Sequence, residues 1–216
     1  MTKVGIIGAT GMAGSAIFKE AQKAKLEVTA IVRDADKAKK ELSNDIQILE
    51  KNAFALTKDD LDKFDVVIDA FSTAPPRAYL HIDLATKLVG IYRQTRHPRF
   101  IFILGAGSLH TGNDHHLAVE DIKKIPGSES WVGTPISQLA EFHFLSDVTN
   151  VNWVGISPGM QFIAGPPAKK IIYGHNELLS NKKGKSETTS GTMAQVIVKE
   201  IQKPVHKQER FTVING

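Results

Sequence analysis

The amino-acid sequence predicts an α/β protein in which helices cover both faces of a doubly wound parallel sheet, giving three layers. Apolar, β-branched runs of strand length recur along the 216-residue chain, and amphipathic runs of helical length separate them. Each strand-like run is apolar almost throughout, which is typical of strands that are buried on both faces. Alternating strands and helices imply right-handed crossovers and parallel neighbours. A chain of this length favours a single domain over residues 1–216.

The predicted elements follow one another in chain order. Strands are expected at residues 3–7, 27–33, 46–49, 65–71, 99–105 and 152–157, where the sequence is rich in Val, Ile and Phe. Helical spacing of apolar residues predicts helices at about 13–25, 34–42, 58–63, 76–95, 114–123, 135–147 and 189–202. Residues 158–190 are rich in Pro and Gly and then polar, so we expect a small substrate-side elaboration with a short strand at "KIIYG". The run "ERFTVIN" is a candidate final strand.

Composition excludes several classes of function. The chain carries 27 Lys and Arg against 23 Asp and Glu, and this scattered excess of +4 is too weak to predict nucleic-acid binding, although it would help to attract an anionic ligand. The absence of cysteine excludes disulfides, thiolate metal sites and a cysteine nucleophile. No signal peptide is recognisable, and no apolar run reaches the roughly 20 residues that span a bilayer. We therefore expect a cytoplasmic protein without a membrane partner.

A glycine-rich turn follows the first predicted strand in "KVGIIGATGMAGSAIF", residues 3–18. Gly8 would permit a tight turn, Gly11 a close approach of the backbone to a diphosphate, and Gly14 close packing of the helix on the strand. The amides at the start of that helix would then face the anion. An ordinary strand-to-helix loop is the alternative, but the following helix and a second strand about 20 residues further on favour a dinucleotide site.

The residue after the second strand indicates which dinucleotide is bound. An acidic residue there would bind the ribose 2′-hydroxyl of NAD(H), whereas this sequence has Arg33, a bidentate donor suited to a 2′-phosphate. The sequence therefore favours NADP(H) over NAD(H). Asp34 follows and would either cap the next helix or contact the ribose. The alternative for Arg33 is a solvated surface arginine.

The ends of later strands are expected to complete the site, because ligands of open α/β sheets bind outside the carboxyl ends of the strands. Three segments follow such ends, "DAFSTAPP", "LGAGSLH" and "SPGMQF". Small or apolar residues in them are predicted to contact the cofactor: Ala70, Phe71, Ser72, Thr73, Gly105, Ala106, Gly107, Pro158, Gly159 and Met160. For Ser72 and Thr73, a role in turn or cap chemistry is equally open.

The motifs "IGATGMAGS", "IVRDADK", "VVIDAFS", "LGAGSL", "WVGISPGMQF" and "GKSETTSGTMAQVIVKEIQKPVHKQERFTV" together resemble one family over nearly the whole chain. This family comprises the NAD(P)H-binding, NADH-flavin reductase-like proteins of the atypical short-chain dehydrogenase/reductases, which are NmrA-like in the broader sense. The resemblance implies a Rossmann fold and reduction of a flavin or quinone-like acceptor. It also implies NADP(H) binding through Gly8, Thr10, Gly11, Met12 and Arg33. Ala13, next to Met12, is expected to contact the cofactor as well. The sequence departs from the family pattern at Asn52, where an acid is usual, and at Thr192 and Met193.

The catalytic pair of well-studied short-chain dehydrogenases, Tyr-x-x-x-Lys, is missing. Four residues beyond each of the three tyrosines lie Asp83, Arg96 and Glu177, so a standard alcohol dehydrogenase is not expected. Ser108 is the first candidate for a polar contact to the substrate, and Gln138, Glu141 and His143 follow. His143 would donate a proton near neutral pH, or it would simply occupy a helix face between two phenylalanines.

A metal site is not predicted. His110 and the run "DHH" at 114–116 are metal-binding residue types, but no partner at i+4 completes a His-x-x-x-His face. The two tryptophans, Trp131 and Trp153, would line a pocket for a flat ring or belong to the core.

Two functions from different classes are consistent with the sequence. The first is an NADP(H)-dependent oxidoreductase acting on a flat, conjugated small-molecule acceptor, with flavin as the leading candidate. The second is a redox sensor that binds NADP(H) without turnover and signals to a protein partner. A nucleotide-sugar epimerase is disfavoured by the short C-terminal part and the missing Tyr-x-x-x-Lys. A homodimer is left open as the oligomeric state.

Overall fold

The computed structural model describes all residues from 1 to 216. The strands are β1 (Lys3–Ile7), β2 (Glu27–Val32), β3 (Gln47–Glu50), β4 (Val66–Asp69), β5 (Arg99–Ile103), β6 (His110–Thr111), β7 (His116–Leu117), β8 (Trp153–Ser157), β9 (Gln161–Ile163), β10 (Ile171–Gly174), β11 (Glu187–Thr189) and β12 (Arg210–Asn215). The helices are α1 (Met12–Lys23), α2 (Ala35–Glu41), α3 (Lys58–Leu61), α4 (Leu80–Ile91), α5 (Ala118–Ile122), α6 (Gly133–Ser146) and α7 (Ser190–Gln202). None of these helices has the length and apolar composition needed to cross a bilayer.

Eight strands form one central sheet in the order β10-β12-β8-β5-β4-β1-β2-β3. All neighbours are parallel except β10, which pairs antiparallel with β12 at one edge. The chain builds outward from β1 to β3 on one side and then crosses back to place β4 on the other side of β1. This reversal between β1 and β4 is the point at which open α/β sheets bind ligands.

The core consists of two layers, one on each face of the sheet. Alternate residues of a strand enter opposite layers, because successive side chains of a strand point to opposite faces. In β4, Val66 and Ile68 pack in the layer with α1 and α7, whereas Val67 packs in the layer with α4. In β5, Ile101 packs in the layer with α1 and α7, and Phe100 packs in the layer with α4. The predicted doubly wound fold with three layers, a Rossmann fold, is confirmed.

Most element boundaries agree with the prediction to within about two residues, which is the usual spread of such assignments. The helix predicted at 76–95 corresponds to α4, which is shorter than predicted. Pro75 and Pro76 lie in a short 3₁₀ turn that precedes α4. Residues 114–117 were predicted to be helical, but they belong to a turn and to the β6–β7 hairpin. The left-handed backbone of Gly112 and His115, with φ of 70° and 55°, closes that hairpin.

Residues 158–190 contain β9 and β10 and lead into α7 through β11. β9 and β11 pair parallel to each other as a separate two-stranded sheet, and β10 forms the antiparallel edge of the main sheet. The strand predicted at "KIIYG" is present as β10. β9 and β11 were not predicted, because each has only three residues and the pattern of such a short strand is weak.

Candidate functional site

The turn after β1 has a backbone conformation that requires glycine. Gly8 has φ of +75°, and a Cβ placed there would lie 2.6 Å from the carbonyl oxygen of Ala70 at the end of β4. A Cβ on Gly14 would lie 2.9 Å from the Cα of Ala9, so α1 packs directly on the turn. The Gly11 amide donates to the Gly8 carbonyl oxygen at 2.9 Å and closes the turn.

The N-terminus of α1 is not capped by any side chain, and its first turn contains no acidic residue. Asp34 caps α2 and Thr189 caps α7 through a side-chain oxygen, whereas α4, α5 and α6 lack a side-chain cap, as α1 does. The first amides of a helix carry partial positive charge and need an acceptor. At α1, water or an anionic ligand must therefore accept hydrogen bonds from these amides.

A first cleft of about 510 Å³ opens over the carboxyl ends of β1, β2 and β4. It is strongly cationic, since its lining includes Arg33, Lys37, Lys51 and Arg77 and no acidic residue. The other lining residues are Ile7, Gly8, Thr10, Gly11, Ile31, Val32, Asn52, Ala53, Phe54, Ala70, Phe71, Ser72, Thr73, Ala74 and Leu80. This charge distribution suits a ligand that carries several phosphates.

Two of these cations are free to bind an anion. Arg33 and Arg77 are exposed and make neither a salt bridge nor a side-chain hydrogen bond. Lys51 is already committed, because its Nζ lies 2.6 Å from Asp60 Oδ2 and its hydrogen bond lowers the pKa of Asp60 to about 2. Asp34, the residue that could have opposed a 2′-phosphate, accepts the Lys37 backbone N–H at 2.8 Å as the cap of α2.

A second cleft of about 400 Å³ adjoins the first over the ends of β4, β5 and β8. The two clefts share Gly11, Ala70, Phe71 and Ser72, so they form one continuous groove past the N-terminus of α1. No Lys, Arg, Asp or Glu lines the second cleft. Its lining is Met12, Ala13, His81, Ile103, Leu104, Gly105, Ala106, Gly107, Ile122, Ile125, Trp131, Thr134, Pro135, Gln138, Pro158, Gly159, Met160 and Phe162, with the four shared residues.

The rim of the second cleft is apolar. The side chains of Met12, Ile125, Trp131 and Met160 are between 39% and 46% exposed, although each is large and hydrophobic. Exposed apolar side chains clustered at a cleft are typical of a binding site for an apolar ligand. Trp153, the other tryptophan, is buried in the core and donates its indole N–H to the Val148 carbonyl oxygen at 2.8 Å.

Three titratable side chains are buried beside this groove. Asp69, the last residue of β4, accepts the Phe71 backbone N–H at 2.9 Å, and burial raises its pKa to about 6. Burial and the charge of Asp69 raise the pKa of Glu141 on α6. Burial lowers the pKa of His81 on α4 to about 4, so its imidazole is neutral at pH 7.

Sequence reasoning did not single out His81, which lines the second cleft, or the buried Asp69 at the end of β4. The available signals were an acid at the end of an otherwise apolar strand, "VVID", and a histidine on the buried face of α4. Both signals are weak, because either residue type is also common in loops and on helix surfaces.

All of the residues predicted to contact the cofactor line one of the two clefts. Those in the first cleft are Gly8, Thr10, Gly11, Arg33, Ala70, Phe71, Ser72 and Thr73, and those in the second include Met12, Ala13, Gly105, Ala106, Gly107, Pro158, Gly159 and Met160. Asn52 lines the first cleft, and its side chain accepts the Phe54 backbone N–H at 2.9 Å. The structure thus brings these positions together, while cofactor contact itself stays a prediction.

Neither of the two predicted catalytic residues, Ser108 and His143, lines either cleft. Ser108 is 1% exposed, donates to the Gly105 carbonyl oxygen at 3.2 Å and accepts from the Arg210 guanidinium at 2.8 Å. The Ser108 hydroxyl therefore forms its hydrogen bonds inside the core. His143 is exposed on the outer face of α6, because it lies five residues after Gln138 and so about 140° around the helix.

The histidine-rich hairpin forms no metal-binding group. The His116 ring lies between two exposed carboxylates, with Nδ1 2.6 Å from Asp114 and Nε2 2.8 Å from Asp121, and both bonds raise its pKa. No three His, Asp or Glu side chains are arranged to hold a metal ion.

Comparison with known proteins identifies the family of this chain. A family model described as NAD(P)H-binding matches residues 8–204. The uncharacterized protein YwnB of Bacillus subtilis (strain 168) is 36% identical over 214 residues, which are 99% of this chain and 98% of that protein. A crystal structure of a Lactobacillus casei protein is 38% identical, covers 100% of both chains and has a TM-score of 0.92.

A further relative of known structure comes from Streptococcus pneumoniae TIGR4 and is described as a candidate NADH-flavin reductase. It is 32% identical, covers 100% of both chains and has a TM-score of 0.88. The resemblance predicted from the motifs is therefore confirmed, and the fold is that of NAD(P)H-binding oxidoreductases. Since the family model spans most of the sequence and these relatives match over their full lengths, the chain belongs to the NAD(P)H-binding family.

Proposed function

We propose that this protein is an NADP(H)-dependent reductase that passes a hydride to a flat, conjugated acceptor, with flavin as the leading candidate. The observation that carries the proposal is the continuous groove, which is cationic over the first cleft and free of charged residues over the second. The two halves meet at the uncapped N-terminus of α1. Such a groove suits a phosphorylated coenzyme at one end and an uncharged ring at the other.

The first cleft and the turn would hold the coenzyme. The amides at the start of α1, at Met12 and Ala13, would face its diphosphate, and the glycines keep side chains away from that position. Arg33 and Arg77 would bind the 2′-phosphate of NADP(H), which supports the phosphorylated coenzyme over NAD(H). When bound, the nicotinamide supplies a hydride.

The second cleft would position the acceptor. Hydride transfer between two stacked rings requires orientation and exclusion of water more than it requires an acid or a base. The apolar rim, with Trp131 and Met160, would cover a flat ring, and Pro158 would form part of the wall. The lack of Tyr-x-x-x-Lys is consistent with an acceptor of this kind.

A sensor that binds NADP(H) without turnover is the second candidate. It is favoured by the absence of any charged side chain in the second cleft, since few groups there could assist a chemical step. In that case the acceptor cleft would serve a protein partner or no ligand at all.

The absorbance of reduced nicotinamide distinguishes the two functions. The protein is mixed with NADPH and either riboflavin, FMN or a quinone, and the decay of the absorbance is followed. Saturable oxidation that depends on the acceptor supports the reductase. Tight binding of NADPH without oxidation by any of these acceptors would support the sensor.

Coenzyme preference is tested with Arg33→Asp. We expect about 10- to 100-fold weaker binding of NADPH and little change for NADH, because a charge-assisted bond contributes roughly 1.5–3 kcal/mol. Arg96→Asp is the matched control, since Arg96 is exposed and lines neither cleft. Equal losses for both coenzymes would contradict the preference.

A further inference from the structure

The polar groups that face the second cleft are all uncharged. The Gln138 carboxamide lies against Gly105, where any side chain would displace it, and the hydroxyls of Ser72 and Thr134 also line the cleft. The remaining polar side chain in the lining is His81. A ligand that fits this cleft must therefore satisfy neutral hydrogen-bonding groups and bring no charge to them.

His81 is distinctive because its side chain is buried but incompletely bonded. It is 6% exposed, and its Nε2 has no hydrogen-bond partner; the only other buried side-chain atom in this condition is Oε2 of Glu141. Buried polar atoms are nearly always paired in native proteins, so an unpaired one needs an explanation. A ligand that completes the bonding of the imidazole is such an explanation.

The position of the imidazole is fixed by an aromatic row that runs along both clefts. The His81 ring packs edge-on against Phe71 at 5.4 Å between centroids, and Phe71 packs edge-on against Phe54 at 5.7 Å. Phe71 lines both clefts, while Phe54 lines the first and His81 the second. The row thus places the imidazole at the acceptor end of the groove.

We propose that His81 hydrogen-bonds the polar edge of the acceptor and thereby selects an uncharged conjugated ring with a carbonyl or imide edge. This proposal rests on the proposed reductase function. A neutral imidazole can donate to a carbonyl oxygen or accept from an imide N–H, depending on its tautomer. The second cleft contains no lysine or arginine that could pair with an anionic edge, so such an edge would be disfavoured there.

Riboflavin is a suitable probe, because its ring has an imide edge and the molecule carries no phosphate. Its affinity for the NADP⁺-loaded protein is measured by fluorescence anisotropy in the wild type, His81→Phe and His81→Gln. His143→Gln is the matched control, since this histidine is exposed and lies outside both clefts. Urea unfolding and the affinity for NADPH are measured on each variant.

We expect His81→Phe to weaken riboflavin binding about tenfold, as loss of one buried hydrogen bond does. The affinity of His81→Phe for NADPH should stay unchanged. The riboflavin affinity of His81→Gln should lie between those of the wild type and His81→Phe, and that of the control His143→Gln should equal the wild-type value. Unfolding stability should not fall in His81→Phe, because the change removes an unpaired buried atom. Riboflavin affinity within twofold of the wild type in His81→Phe would overturn the proposal, whatever its stability.

The outcomes also separate this proposal from the reductase function. If the wild type oxidises NADPH with riboflavin and His81→Phe binds riboflavin equally well, the proposed role of His81 is wrong and the proposed reductase function is retained. If the wild type neither binds riboflavin nor uses any of the acceptors, both are wrong.

Discussion

Replacing Asp69 by Asn should stabilise the protein at neutral pH, although Asp69 is hydrogen-bonded. Burial raises its pKa from the ordinary 3.8 to about 6, so folding favours the protonated carboxyl. The stability associated with this group is fully present below pH 3.8 and is lost as the pH rises through 6. Two pKa units correspond to about 3 kcal/mol, which is the upper bound on the gain in Asp69→Asn above pH 6. The Asn side chain keeps an oxygen to accept the Phe71 amide.

The assay is urea unfolding of wild type and Asp69→Asn at several pH values from 4 to 8. The difference in unfolding free energy should be near zero at pH 4, grow with pH and level off above pH 6. Asp45→Asn is the matched control, because it removes the same charge from an exposed loop. A variant that is less stable than the wild type at pH 7.5, or a difference that is independent of pH, would show that burial does not disfavour the charged form of Asp69.

Three further predictions concern the turn, a buried ion pair and the cationic cleft. Gly8→Ala should lower the unfolding free energy by about 1–3 kcal/mol, because it strains a backbone with φ of +75° and meets Ala70; an unchanged urea midpoint would contradict this. Glu200→Gln should cost about 3–5 kcal/mol, because Arg99, 2.6 Å from Glu200, would keep a buried charge without a counter-charge; a smaller loss than in the double variant Arg99→Met/Glu200→Leu would contradict it. NADPH affinity should fall steeply between low and high salt, more than NADH affinity does, in calorimetric titrations; equal slopes would contradict a 2′-phosphate contact.

The fold and the coenzyme side of the groove could be predicted from the sequence because their signals are local. A strand, a glycine turn and a helix are contiguous in "IGATGMAGS", and the requirement for Gly8 follows from its own backbone conformation. Likewise, Arg33 lies at a fixed offset after β2. Such features depend on a few neighbouring residues, so the periodicity and spacing of the chain reveal them.

The polar groups of the acceptor side could not be predicted, because they meet only through the tertiary structure. His81 on α4 approaches Phe71 through packing of helix on sheet, and nothing near it in the sequence marks that contact. Ser108 was predicted from its place after β5, but Arg210, 102 residues away, donates a hydrogen bond to its hydroxyl. His143 was predicted from its residue type, and the rotation of α6 places it outside the groove.

A crystal structure of the protein with NADP⁺ would show where the coenzyme binds. We expect electron density for the diphosphate against the backbone of residues 8–13, with the 2′-phosphate beside Arg33 and the nicotinamide directed into the second cleft. Density for the coenzyme at any other surface, or an empty groove at saturating NADP⁺, would contradict this prediction.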